Sequence, residues 1–195
     1  MAPPLRLVLA STSPYRRALL ERLGVAFSIA DPGVSEERRG DETPESMARR
    51  LAEAKALAVA GRFPESLIIG CDQVASCNGE LFGKPLTHAN ATRQLKALSG
   101  REALFHTAAC VHNTRDGDTK VRVVPCRVSF RELDDRAIER YLAKEQPYDC
   151  AGSAKAEGFG IALLAKVESE DPTALIGLPL IALVDLLREQ GLNVL

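Results

Sequence analysis

The sequence has few of the residues that usually mark metal centres, disulfide scaffolds and stacking surfaces. Its 195 residues include no tryptophan, three histidines and five cysteines. The odd cysteine count and the absence of a CxxC pair are typical of free thiols in a reducing compartment. No histidine stands four residues from another, so a histidine-ligated zinc site is not expected.

An excess of charge and a long apolar run are missing as well. Lys and Arg number 25 against 26 Asp and Glu, which gives a formal net charge of −1. With only six Phe and three Tyr, the chain does not fit a sheet that stacks RNA bases. The apolar run at 7–10 is too short for a signal peptide, and no run approaches the roughly 20 residues of a membrane span. We therefore expect a soluble cytoplasmic protein that binds neither nucleic acid nor membrane.

What the chain does contain is an alternation of strand and helix patterns. The length predicts a single domain over 1–195. The alternation, with a hairpin pattern in the middle, predicts an α/β fold: a mixed β-sheet with flanking helices in two lobes around a cleft. Strands are predicted at 5–10, 67–69, 105–111, 121–130 and 159–167, and helices after Ser13, Thr43 and Thr87, over 133–143 and from Leu180 to Gly191.

The first candidate site is the turn between the first strand and the first helix. Ser11 precedes a helix start at Ser13-Pro14, and Arg16 and Arg17 lie in the first helical turn. Backbone N–H groups at a helix start attract anions, and the arginines add forked donors suited to phosphate oxygens. A capped helix with solvated arginines is the equally weighted alternative.

Two acidic residues form the second candidate. Asp72 follows a buried apolar run, where open α/β sheets place working groups, although an ordinary turn cap is the alternative. Glu36 lies in a polar loop and would by itself be a solvated surface residue. Together the two carboxylates would suit Mg²⁺ or Mn²⁺.

Two lysines and a loop complete the set. In the helix after Thr43, the spacing of Met47, Leu51, Ala54 and Ala58 predicts the inward face. Lys55 stands near the edge of this face and Lys84 in the turn Gly83-Lys84-Pro85, yet lysines are mostly exposed, so each is first expected at the surface. The glycine-rich segment 151–160 carries Glu157 and by itself indicates a plain turn.

Six segments taken together resemble the Maf family. They are STSPYRRALLERLG, RLAEAKA, IIGCDQV, GKPLTHANATRQL, AGSAKAEGFG and DPTALIGLPL, in the order and spacing of that family and spread from Leu5 to Leu187. The resemblance implies the fold of inosine triphosphate pyrophosphatases and a homodimer. It also implies metal-assisted hydrolysis of a nucleoside triphosphate to a monophosphate and pyrophosphate.

The resemblance also implies a role for each candidate residue. Asp72 would accept the proton from water or bind the metal, and Glu36 would hold the metal, although the family often has a second acid where this chain has Ser35. The residues that would hold the triphosphate are Ser11, Arg16, Arg17, Lys55 and Lys84.

At three further positions the sequence resembles the branch of the family that acts on 7-methyl-GTP. They are Gln73 and Glu157, where relatives that prefer dTTP and UTP usually have Thr and Gln, together with the aromatic residue Tyr15. A carboxylate only accepts hydrogen bonds, so Glu157 suits the two adjacent donors of guanine rather than uracil, and it suits a base made cationic by methylation. Tyr15 replaces a tryptophan, and tyrosine is the weaker cation–π partner, so looser discrimination is expected.

Two other functions stay open at this point. One is a pyrophosphatase for dTTP and UTP, or one with broad tolerance of modified bases. The other is a nucleotide-binding regulator of septum formation, consistent with the link of the family to cell division. A binder alone would have no need of Asp72 beside a metal.

Overall fold

The computed structural model describes residues 5–195, which contain seven β-strands and five α-helices. The strands are β1 (Arg6–Leu9), β2 (Ser28–Ile29), β3 (Ser66–Cys77), β4 (Glu80–Phe82), β5 (Glu102–Asn113), β6 (Thr119–Phe130) and β7 (Leu164–Ser169). The helices are α1 (Pro14–Glu21), α2 (Pro44–Ala60), α3 (His88–Leu98), α4 (Asp135–Glu145) and α5 (Leu180–Glu189). Among these described residues, no helix is both long enough and apolar enough to cross a bilayer.

The strands form one mixed sheet in the order β2-β1-β3-β5-β6-β7, with β4 paired to β3. β1 runs parallel to both β2 and β3, whereas β4 and β7 are antiparallel to their partners. The predicted α/β class and mixed sheet are confirmed.

Helix starts follow the local capping signals in the sequence. The side chains of Ser13, Thr43 and Thr87 each accept a hydrogen bond from the backbone N–H three residues later, at the starts of α1, α2 and α3. Proline occupies the first position of α1 and α2, where its missing N–H carries no cost. The predicted turn after β5 is present, with Gly117 at φ +80°.

Three predicted elements need correction. The strand predicted at 67–69 is longer and extends to Cys77. The strand predicted at 159–167 begins as a 3₁₀ helix, Phe159–Leu163, and only Leu164–Ser169 is strand. The buried face of α2 is also rotated about the helix axis from the predicted one. Of the predicted inward residues, Ala58 is exposed, and Met47 and Ala54 are only half-buried. The buried residues of α2 are Ala48, Leu51, Ala52, Lys55, Ala56 and Val59.

The chain divides into two compact units by the contacts within it. Among the described residues, the first unit comprises 5–72, 107–124 and 171–195, and the second comprises 73–106 and 125–170. In the first, a core of aliphatic side chains joins β1 and β3 to α1 and α5, with Leu9, Leu19, Ile69 and Leu183 among its members. In the second, α3 and α4 contact each other and bury Leu95, Ile138 and Leu142.

Candidate active site

The centre of the candidate site is a buried lysine with two carboxylate partners. Lys55 Nζ lies 2.5 Å from Glu36 Oε1 and 2.6 Å from Asp72 Oδ1. Lys55 is only 4% exposed, so the surface position first expected for it is wrong. A buried ammonium is stabilised only by such partners, and here it brings two distant carboxylates within reach of one cation.

Gly70 explains how Lys55 reaches this position. A Cβ at residue 70 would lie 2.0 Å from the Ala52 carbonyl oxygen and 2.9 Å from the Ala56 nitrogen. The backbone of α2 therefore rests directly on β3 at a residue without a side chain. Asp72 follows Gly70 by two residues on the same face of the strand, which directs its carboxylate toward this side of α2.

Asp72 lies within β3 rather than after its end. The strand continues to Cys77, whereas its parallel pairing with β1 ends at Leu9 and Ile69. The Asp72 carboxylate is almost fully buried. Burial raises its pKa, and the positive charges of Lys55 and Arg16 oppose this rise without cancelling it.

The predicted anion-binding turn holds Ser11 and Arg16 together but turns Arg17 outward. Ser11 is buried, and its Oγ accepts hydrogen bonds from the Ser13 N–H and from Arg16 Nη1. Arg17 is exposed, and its Nε pairs with Glu21 one helical turn later. Tyr15, half-buried, lies on the same helix.

A carbonyl that sequence reasoning missed fixes the other side of Arg16. Arg16 Nε donates to the Gly177 oxygen at 3.0 Å, and Cys71 Sγ donates to the same oxygen at 2.8 Å. The turn that presents this oxygen is held by Asp171, which accepts from the Thr173 side chain and caps the start of α5 through Ile181. The signal was the segment DPTALIGLPL, which carried no assigned role.

The loop that carries Glu36 is held by a second ion pair that the sequence did not reveal. Arg50 on α2 contacts both carboxylate oxygens of Glu42 and donates to the Glu37 carbonyl oxygen at 3.1 Å. The hydrogen bonds from Arg50 to its carboxylate lower the pKa of Glu42 to about 2. Because Glu36 directly precedes Glu37, the bond from Arg50 to the Glu37 carbonyl also holds the backbone at Glu36, while the Glu36 side chain stays half-exposed.

The carboxylates fit the donor set that a hard divalent cation takes. Within residues 5–195 there is no cluster of three or more His, Cys, Asp or Glu residues that would form a complete protein cage. Mg²⁺ commonly uses one or two carboxylates and completes its shell with substrate phosphates and water. Glu36 and Asp72 supply that number.

The remaining predicted residues lie in the second unit. Lys84 is exposed in the loop after β4, Gln73 is half-buried on β3, and Glu157 is exposed in the loop after α4. The surrounding protein nevertheless raises the pKa of Glu157, chiefly by displacing water from its carboxyl group, and Lys155 partly opposes this. The eight residues predicted to bind the substrate are thus divided between the two units. The first unit contains Ser11, Tyr15, Arg16, Arg17 and Lys55, and the second contains Gln73, Lys84 and Glu157.

The fold and the site define an α/β protein with paired carboxylates and a cationic strand-to-helix turn grouped around one buried lysine. The chain belongs to the Maf family: the model described as "Maf-like protein" matches residues 6–190. The resemblance inferred from the sequence is thereby confirmed.

Similar proteins share one name. A protein of Methylobacillus flagellatus called 7-methyl-GTP pyrophosphatase is 56% identical over 193 residues, covering 99% of this chain and all of that protein. Proteins of the same name from Nitrosospira multiformis and Paraburkholderia xenovorans are 54% and 55% identical. These matches cover 97% and 96% of this chain and 96% and 93% of the respective proteins.

Proposed function

We propose that this protein is a nucleoside triphosphate pyrophosphatase that hydrolyses 7-methyl-GTP to 7-methyl-GMP and pyrophosphate. The observation that carries the proposal is the buried Lys55 held by Asp72 and Glu36, in a chain whose relatives bear the name of this activity. Removal of modified nucleotides from the cellular pool is the physiological role that follows. A homodimer in the cytoplasm belongs to the same proposal.

The first unit supplies most of the groups that would hold the triphosphate, and Lys84 belongs to the second. Arg16 and Lys55 offer fixed positive charge, and Ser11 lies at the turn before α1. Because Arg16 is held through Nε, its position is set before substrate arrives, which reduces the entropy lost on binding. Arg17 and Lys84 are exposed and complete the cationic set.

Asp72 is the proton acceptor in this proposal. A water oxygen bonds to the α-phosphorus, its proton passes to the Asp72 carboxylate, and the bond from that phosphorus to the bridging oxygen breaks, releasing pyrophosphate. Burial raises the pKa of Asp72, and a more basic carboxylate is a better proton acceptor. A divalent metal held by Glu36 and Asp72 would neutralise negative charge on the phosphates.

Base recognition is assigned to Glu157, with Gln73 and Tyr15. A Glu157 carboxylate would accept from the N1–H and the 2-amino group of guanine, whereas uracil offers one donor between two carbonyl oxygens. The positive charge of the N7-methylated base adds attraction to the carboxylate and to the Tyr15 ring.

The test is pyrophosphate release by the purified chain with Mg²⁺ or Mn²⁺ and a panel of 7-methyl-GTP, GTP, dTTP, UTP and CTP. We expect 7-methyl-GTP to be preferred. Preference for dTTP or UTP would retain the reaction and contradict the role of Glu157. Nucleotide binding without turnover under either metal would favour a regulator over an enzyme.

A further inference from the structure

The loop that carries Glu157 is attached to α4 at several points. Tyr141 on α4 is buried, and its hydroxyl donates to the Ser153 carbonyl oxygen and accepts from the Lys155 N–H, each at 3.0 Å. The loop also closes tightly on itself, since a Cβ at Gly160 would lie 2.5 Å from the Lys155 carbonyl oxygen. Residues 153–160 are therefore an ordered segment rather than a plain flexible turn.

Glu145, the last residue of α4, connects both flanks of Glu157. Its Oε1 lies 2.8 Å from Lys155 Nζ, and its Oε2 accepts from the Phe159 N–H at 2.7 Å. A Cβ at Gly158 would lie 2.9 Å from Glu145 Oε1, so the loop backbone packs directly against this carboxylate. One side chain thus fixes the residues two positions before and two positions after Glu157.

We propose that Glu145 is a positioning residue for base selectivity, because it fixes both flanks of the Glu157 loop and forms an ion pair with Lys155. This inference rests on the proposed function, in which Glu157 accepts hydrogen bonds from guanine. Glu145 acts through Glu157 and makes no contact with the base itself.

Lys155 has two carboxylates within electrostatic reach, those of Glu145 and Glu157. The Lys155 ammonium is near enough to Glu157 to influence its carboxyl group, but its ion pair is with Glu145, which is only 13% exposed. Without the charge of Glu145, Lys155 would be drawn to Glu157 instead. A carboxylate paired with lysine is a poorer acceptor for the guanine edge, so selectivity would fall.

The experiment compares Glu145→Gln with Glu139→Gln. Both changes remove a carboxylate charge from α4, but Glu139 lies on the surface and contacts only His88 among the ion pairs of the described residues. The measured quantity is the ratio of kcat/KM for 7-methyl-GTP to kcat/KM for UTP. We expect Glu145→Gln to lower this ratio at least about tenfold, mainly through KM for 7-methyl-GTP, which corresponds to about 1.4 kcal/mol. Glu139→Gln should leave the ratio unchanged.

A second variant separates positioning from general loss of structure. The double variant Glu145→Gln/Lys155→Met no longer has a lysine to compete for Glu157, so part of the lost ratio should return. An equal fall in kcat/KM for both nucleotides, or an unchanged ratio in Glu145→Gln, would overturn the proposal.

Failure of the proposed function gives a different result. If the wild-type chain releases no pyrophosphate, the same ratio is taken from the dissociation constants of the two nucleotides by titration calorimetry. A binding preference that Glu145→Gln removes would still support the positioning role. A wild-type protein without any preference for 7-methyl-GTP would overturn both.

Discussion

Each unit of the molecule fixes a loop that carries a candidate site glutamate, Glu36 in the first and Glu157 in the second, but the two loops are fixed differently. In the first, Arg50 holds the loop through Glu42 and the Glu37 carbonyl, and Glu36 itself also bonds to Lys55. In the second, Glu145 holds the loop through Lys155 and Phe159. Among the described residues, Glu157 forms no ion pair of its own.

This difference suits the two chemical roles. A carboxylate that shares a cation with Asp72 has a fixed position that does not depend on the base of the substrate. A carboxylate without an ion pair keeps its acceptor oxygens for the base that arrives. Substitutions that disturb the Glu36 loop should therefore lower the catalytic rate without a change in base selectivity. Substitutions that disturb the Glu157 loop should lower base selectivity.

Asp72→Asn gives the largest expected effect. An amide cannot take the proton, so kcat should fall about 10²- to 10⁴-fold for every nucleotide. The ratio between 7-methyl-GTP and UTP, measured by binding, should stay as in wild type because Glu157 is untouched. Asp41→Asn, a change at an exposed position in the same unit, is the control. Near-normal turnover in Asp72→Asn would contradict the assignment of the base.

Gly70→Ala tests whether the close approach of α2 to β3 positions Lys55. The added methyl would lie 2.0 Å from a backbone oxygen, so α2 must move. Overpacking of this kind costs about 1–3 kcal/mol of unfolding free energy, and turnover should fall with it. Gly61→Ala is the matched control, because a Cβ there meets nothing within 4 Å. Equal urea midpoints for the two variants would show that the contact is not rigid.

The sequence predicted the parts of this arrangement that local chemistry decides. Ser13-Pro14 and Thr43-Pro44 mark helix starts because the cap hydrogen bonds lie within three residues. Asp72 was a candidate because it follows an apolar run typical of a buried strand, and the structure places it within such a strand.

The sequence did not reveal the parts that long-range contacts decide. Half of the buried residues of α2 are alanines and one is a lysine, so hydrophobic spacing placed this face wrongly. Only the contact with Gly70 settles which side faces the sheet. Glu145 and Arg50 each have charged neighbours in the sequence, and nothing local indicates which partner each will take.

Arg50→Met is expected to have a moderate effect on metal binding by the Glu36 loop. The Glu36 loop loses one attachment but keeps the bond from Glu36 to Lys55. The Mg²⁺ concentration for half-maximal turnover should rise a few-fold. This is less than tenfold, which would correspond to a loss of about 1.4 kcal/mol in the free energy of Mg²⁺ binding. The selectivity ratio should not change. Arg49→Met, at the exposed neighbouring position, serves as the control, and a lowered selectivity ratio in Arg50→Met would contradict the separation of roles.

The smallest effect is the pH dependence of the two attachments. The pKa values of Glu145 and Glu42 are both lowered by their basic partners, so each carboxylate stabilises the fold above the ordinary glutamate pKa and loses this contribution as pH falls through the folded pKa. For Glu145 the contribution should be about 1 kcal/mol or less, since its partner Lys155 is partly exposed to solvent. The free energy of unfolding should be measured with urea at pH 7, 4 and 3. The difference in this free energy between wild type and Glu145→Gln should shrink as the pH falls below the ordinary glutamate pKa of about 4.3. The corresponding difference for Glu42→Gln should begin to shrink at the same pH and continue to shrink down to about pH 2. A difference for Glu145→Gln that grows on acidification would show that its carboxylate is not held by Lys155 and Phe159.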